Sequence, residues 1–211
     1  DLVTEKLTTA METATQQEMT QLEDEIRKSM KGLGFNIFIY PEGQDMSEIY
    51  SQGYASKTMP ESYVHTLAET RIVTVNHLLP QLTRKVKWPE QGERTILLIG
   101  VRGEVPIAHR DPMKPLIEPV EQGTLVMGYE LAKSLSLSSG NEVALLGKNF
   151  KISKTHKERG TIDDITIWLN LTEAQQLLNA EGQINAILAL ECNCATIDRL
   201  GLKPGFEVGK L

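Results

Sequence analysis

The sequence predicts an α+β fold: a discontinuous α/β subdomain, led by a long N-terminal helix, that carries an inserted β-rich subdomain. Three observations predict it. A single apolar stripe runs through residues 4–33 with no proline or glycine before Gly32. Helix, strand, loop, helix and strand patterns follow one another as far as residue 75, an order that suggests one sheet with helices packed on it. After the proline-rich stretch 109–119, short strands and glycine turns dominate, until an apolar run at 184–191 is long enough to rejoin the first sheet.

The leading helix is read from Leu7, Met11, Ala14, Met19, Leu22, Ile26, Met30 and Leu33, which recur every three to five residues. Gly32 and Gly34 fit its C-terminal stop. Thirty residues of helix span about 45 Å. Such an element either packs along the domain or projects from it as a stalk. Phe35–Tyr40 alternates as a strand with apolar residues on both faces. Pro41–Pro60 is polar and reads as a loop; Pro60–Thr70 reads as a short helix with proline near its start. Ile72–Val75 reads as a strand. Leu82–Trp88 and Thr95–Val101 flank a turn-rich Pro89–Glu93 and read as a hairpin. Pro112, Pro115 and Pro119 mark an irregular crossing and a subdomain boundary.

Within the insert, Met127–Leu135 reads as a helix and Ser138–Asn141 as a turn. Glu142–Leu146 and Asn149–Thr155 read as strands around Gly147-Lys148. Ile162–Leu169 reads as a strand, Thr172 as the N-cap of a helix over 173–179, and Ile184–Glu191 as the returning strand. The expected organisation is 1–111 with 183–200 as the α/β part, 112–182 as the insert, and 201–211 as an unassigned tail.

The 211 residues are 40% hydrophobic and 24% charged, ordinary globular usage that excludes wholesale disorder. Aromatics are only 5%, so aliphatic side chains and methionine must fill the core. The net charge of −6 argues against binding nucleic acid through overall charge. Residues 1–30 hold seven acids and three bases, so −4 of that charge sits there. No apolar run reaches the roughly 18 residues of a membrane span. The chain opens at Asp1 with neither Met nor a signal peptide, the expectation for a piece of a longer or processed protein.

The chemical motifs fall by elimination. Gly32-Leu33-Gly34 lacks the third glycine of a dinucleotide fingerprint and precedes a strand. Gly147-Lys148 lacks the remainder of a phosphate-binding loop. Leu137-Ser138-Ser139-Gly140-Asn141 echoes the ABC ATPase signature but has no such loop beside it. His109-Arg110-Asp111 imitates a kinase catalytic loop, yet the position of its asparagine is Leu116. Glu61 and His65, four apart on a helix, are two ligands and not a site. Cys192 and Cys194 offer two soft ligands where zinc wants four, or three plus water. Asp163-Asp164 is an acid–base candidate if both carboxylates face one pocket, and a turn element otherwise. From 147 to 160 there are five bases (Lys148, Lys151, Lys154, Lys157, Arg159), His156 and one acid, Glu158. That run is either a solvated hairpin or a contact for an acidic partner or anionic headgroups. No catalytic, cofactor-binding or metal-ligating residue is assigned, and no cofactor is expected.

The segment GTLVMGYELAKSLSLSSGNEVALLGKNFKISKTHKERGTIDDITIW, followed by LTEAQQLLNAEGQINAILAL, resembles the extracytoplasmic domain of MacB/FtsX-type ABC-transporter permeases. The long helix leading into 35–41 and the strand 95–103 extend the resemblance over roughly residues 1–195. It implies an α/β Porter-like part and an inserted β-rich Sabre-like part. It implies that helix 4–33 is a stalk continuing a membrane span, and that both flanking spans lie outside this chain. It implies a non-catalytic domain at the bacterial inner membrane, periplasmic or extracytoplasmic, which transmits ATP-driven motion. The implied partners are a cognate ABC ATPase domain or subunit, a permease homodimer or heterodimer mate, and a periplasmic adaptor or lipoprotein, with no nucleic acid. The tail 201–211 and the two cysteines have no counterpart in that pattern. Two other readings stand beside it. One is a soluble α+β hydrolase or metal enzyme built on Asp163, Asp164, His109 or the cysteines. The other is a stand-alone binding protein that uses the basic hairpin.

Overall fold

A computed structural model describes residues 35–70, 75–107 and 115–191. The stalk at 4–33, strand residues 72–74, His109-Arg110-Asp111, Cys192, Cys194 and the tail 201–211 lie outside the described residues. The strands are β1 (Ile37–Ile39), β2 (Met59–Pro60), β3 (Val75–Trp88), β4 (Arg94–Val101), β5 (Thr124–Met127), β6 (Glu142–Leu145), β7 (Lys148–Thr155), β8 (Thr166–Asn170), β9 (Gln183–Ile184) and β10 (Ala186–Glu191). The helices are α1 (Met46–Gln52), α2 (Ser62–Glu69), α3 (Tyr129–Leu135) and α4 (Leu171–Leu177). Among the described residues, eight strands form one mixed sheet in the order β1-β10-β3-β4-β8-β5-β7-β6, and β2 pairs with β9. Within the large sheet β4–β8 and β5–β7 run parallel and the other pairs antiparallel. The expected α+β class holds.

β4 runs through the middle of this sheet. From Ile96 to Val101 every residue is buried, so both of its faces are covered. Ile96 and Leu98 join a core with Trp88, Leu125, Met127, Leu131, Phe150, Ile152, Ile167 and Leu169. Leu97, Ile99 and Val101 point to the other face and meet Leu79 and Val120. A further cluster gathers Leu78, Leu82, Ile184 and Ile187 beneath Val64 and Ala68 of α2. The Trp88 cluster draws on both sides of the expected boundary at 111–112, and the parallel β4–β8 ladder runs across it.

The sheet curls far enough for its edge strand β6 to meet the end of β3 around this cluster. Trp88, at the end of β3, is fully buried and its indole N–H donates to the Ala144 carbonyl of β6 at 2.8 Å. Glu90 accepts from the backbone N–H groups of Leu146 and Gly147 at 3.2 and 2.6 Å. The edge strand β6 is thereby held by the tip of the β3–β4 hairpin.

Several elements differ from expectation, each for a local reason. The supposed loop 41–60 contains α1. Asp45 caps it by accepting from Ser47 N–H at 2.8 Å, and Gly53 closes it at φ 85°. Only Ile49 of α1 is buried, so no apolar period announces the helix. The β3 strand is longer than the expected 82–88, running from Val75 through Pro80 to Trp88. Pro80 pairs with Ile187, one residue beyond the β3–β4 ladder that starts at Gln81, where no partner strand needs its missing N–H. Residues 124–127, of which only Met127 was read, as a helix start, form β5, and α3 begins at Tyr129. Ile162–Ile165 is a 3-10 turn, and strand β8 begins only at Thr166. Asn170, not Thr172, caps α4, accepting from Thr172 N–H at 3.1 Å. The β6–β7 turn falls on Leu146-Gly147, with φ 51° and 82°, one residue earlier than read. The returning strand is broken at Asn185, whose buried amide donates to Ala55 and Thr83 carbonyls and accepts from Thr83 N–H.

Candidate functional site

The acidic pair singled out in the sequence serves the backbone. Asp164 is buried, and its carboxylate accepts from Arg159 N–H at 3.0 Å and Gly160 N–H at 2.7 Å. Asp163 points elsewhere and pairs with the Arg159 guanidinium at 2.7 Å. The turn that holds both packs on Gly128, where a Cβ would lie 2.2 Å from the Asp163 carbonyl oxygen. The two carboxylates thus close a loop and do not converge on a common pocket.

Two of the five bases of the hairpin are ion-paired. Lys148 pairs at 2.7 Å with the buried Glu173 of α4, which also accepts from Gly123 N–H at 3.0 Å. Lys151 faces Glu142 across the β6–β7 ladder, and Arg159 is taken by Asp163. Lys154 and Lys157 remain exposed. His156 packs edge-on against Trp168 with ring centroids 4.9 Å apart. Burial, and after it the charges of Arg159 and Lys154, hold its imidazole below the ordinary value. The pairing takes Lys148 and Arg159 out of the run and leaves Lys151, Lys154 and Lys157 exposed.

Glu61 and His65 part company. Glu61 binds Arg102 at 3.1 Å and accepts from the Gln175 amide at 2.9 Å, joining α2 to α4. His65 is exposed and lines a groove of about 360 Å³ with Ala68, Glu69, Arg102, Glu104 and Ile107. Glu104 of that lining belongs to a pair missed in the sequence. His77, buried in β3, contacts the Glu104 carboxylate through Nδ1, and Leu116 N–H donates to the same carboxylate. Val105 N–H donates to the Leu78 carbonyl at 2.8 Å, so residues 104–105 lie along β3. Arg102, Glu104 and Gln175 stand in no local motif, and only the fold brings them to these partners. His77 had little signal: it sits beside Asn76 between Val75 and Leu78-Leu79.

Two of the groove's charged groups have partners outside its lining: Arg102 pairs with Glu61, and Glu104 with His77 and the Leu116 N–H. Among the described residues, no cluster of three His, Cys, Asp or Glu side chains is placed to hold a metal ion. The arrangement offers a shaped surface for contact.

The opening and closing strands are neighbours. Asn36 N–H donates to the Ala189 carbonyl at 3.1 Å, and Ile37 to Ile39 pair with Ala189 to Ile187. Because β1 and β10 are antiparallel, the chain enters the described fold at Phe35 and leaves it after Glu191 at the same end of the sheet. Among the described residues no helix is long and apolar enough to cross a membrane.

No protein-family model and no curated protein sequence matches the chain. Solved structures do match. The extracellular domain of the noncanonic ABC-type transporter YknZ from Gram-positive bacteria aligns at TM-score 0.49 and 11% identity, over 78% of this chain and 87% of that one. The periplasmic region of MacB from Actinobacillus actinomycetemcomitans aligns at TM-score 0.50 and 11% identity, over 78% of each chain. At that identity the likeness concerns architecture: the chain is folded like the periplasmic region of MacB.

Proposed function

We propose that this chain is the extracytoplasmic domain of an ABC-transporter permease of the bacterial inner membrane. Its work is to transmit ATP-driven conformational change and to contact periplasmic partners or substrate. The observation that carries the reading is the MacB-like fold. The adjacent entry and exit of the described chain support it, since a domain set between two spans needs both ends at one membrane surface. In this reading the domain is non-catalytic, and ATP hydrolysis belongs to a separate domain or subunit. Asp163 and Asp164 support that, because both are spent on the loop at 159–164. The expected partners are the ATPase, a permease mate, and an adaptor or lipoprotein. Residues 112–182 correspond in this reading to a Sabre-like part and the flanking segments to a Porter-like part. Mechanism then means different contacts in two states whose balance ATP binding shifts from outside the domain.

Accessibility in cells tests the placement. Among the described residues Tyr50 is the most exposed of the large apolar side chains, so Tyr50→Cys in the full-length parent protein, with Cys192 and Cys194 replaced by serine, provides a reporter. A membrane-impermeant maleimide should label it in cells whose outer barrier alone has been opened. Labelling only after the inner membrane is broken would contradict the reading.

A further inference from the structure

His156 sits where β7 hands over to the loop that carries the acidic pair. Its backbone N–H donates to the Met127 carbonyl of β5 at 2.9 Å, so the main chain here is tied to the sheet independently of the ring. The imidazole packs edge-on against Trp168, with centroids 4.9 Å apart and planes at 86°. Trp168 lies half-buried on the sheet face that carries Leu97, Ile99 and Val126. The imidazole covers part of that indole.

Arg159 selects the state of the ring. Its Nη1 donates to Asp163 at 2.7 Å, and its Nη2 lies 3.5 Å from His156 Nδ1. A guanidinium donates and never accepts. The neutral ring therefore meets it with the Nδ1 lone pair and carries its own proton on Nε2. A second proton enters at Nδ1. It replaces the lone pair with an N–H facing the N–H of Arg159, and sets two positive charges against each other. Lys154 of β7 adds a third charge of the same sign, and Asp163 of the 3-10 turn opposes them. The Asp163 carboxylate is already paired with Arg159. From β5 and β8 the ring meets the Met127 carbonyl side and the Trp168 indole, neither of which titrates. Lys157 and Glu158 are exposed. Burial first, and then Arg159 and Lys154, hold the imidazole below its ordinary value. A ring swung into water escapes all three, so it binds a proton more readily than the covered one, and acid favours the open arrangement.

We propose that His156 is a proton-operated latch on Trp168. Neutral, it accepts from Arg159 and closes over the indole. Protonated, it is driven towards solvent and leaves Trp168 open at the surface of an intact fold. Asp164 keeps the loop backbone in place meanwhile, through the N–H groups of Arg159 and Gly160. The latch stands whether or not the domain belongs to a permease, because it rests on the geometry around His156.

The test uses the whole chain and its two tryptophans. Trp88 is fully buried, so acrylamide quenching of tryptophan emission reports chiefly on Trp168. Quenching is followed from about pH 8 to about pH 5, on either side of the ordinary imidazole value. Far-UV circular dichroism is recorded on the same samples, and NMR follows the His156 ring. As the ring gains its proton the quenching constant should rise about twofold with no loss of ellipticity. His156→Gln should abolish the rise. Arg159→Gln should move the ring's titration to higher pH and shrink the rise, because the closed state then tolerates the proton. Lys154→Gln, at an exposed position, should act in the same direction more weakly. His65→Gln, on α2, should change neither reading. A quenching constant that stays flat while the ring titrates overturns the proposal, and so does a rise that survives His156→Gln. A ring titration unmoved in both the Arg159 and Lys154 variants overturns it too. A rise accompanied by loss of ellipticity would be acid unfolding of the whole domain, and equally overturns it.

Discussion

Gly100 is where a helix touches a strand with nothing between them. A Cβ at this position would lie 2.5 Å from the Ala174 Cβ of α4 and 3.3 Å from the Leu171 backbone. Neither neighbour is the end of a flexible side chain, so Gly100→Ala must push α4 off the sheet. The expected loss is about 1–3 kcal/mol, the range for overpacking a core. Chemical denaturation of Gly100→Ala, alone and with Ala174→Gly, checks this: the second change should recover part of the first loss despite the helix cost of glycine. His156 supplies a pH dependence. Its folded-state pKa lies below the ordinary value, chiefly through burial. Its contribution is therefore complete above the unfolded value of about 6.5 and is lost as pH falls through the folded value. Urea denaturation across that window should show stability rising with pH. His156→Gln should remove up to one proton's worth of that slope, even though it also loses the contact with Trp168.

At the scale of elements, the β6 edge is secured from a distance in sequence. Trp88 and Glu90 on the β3–β4 hairpin hold Ala144, Leu146 and Gly147. Trp88→Phe keeps most of the buried ring but orphans the Ala144 carbonyl, and should cost about 1–3 kcal/mol. Trp88→Ala also opens a cavity and should cost about 3–5 kcal/mol. Hydrogen exchange should then show the amides of 142–151 losing protection before those of β4. This joint also marks the limit of what sequence can tell. The β3–β4 hairpin is legible because its apolar runs flank Pro89–Glu93, and the β6–β7 hairpin because of Gly147. The helix α1 is not, because a single buried residue, Ile49, leaves it without a period. Nor is the continuation of β3 through Pro80, whose tolerance depends on where a neighbouring strand stops.

For the whole molecule, the return of β10 to the first strands was legible from an apolar run, and it decides where the chain enters and leaves. The groove beside α2 was not, because Glu61, Arg102, Glu104 and His77 meet only through sheet register and loop path. The acidic pair and the basic run stood out in the sequence as charge, yet part of that charge is taken up locally: Asp164 by backbone N–H groups, Lys148 by Glu173, Arg159 by Asp163. Charge runs mark where ions are, and only packing shows which of them are free. What remains for function is a MacB-like architecture, two adjacent chain exits and unspent surface.

The most direct measurement is the reading frame of the parent gene on both sides of this segment. The account predicts an apolar stretch of about 20 residues before Asp1 and further spans after Leu211, as a domain set between membrane helices requires. A frame that encodes no such stretch on either side would contradict it.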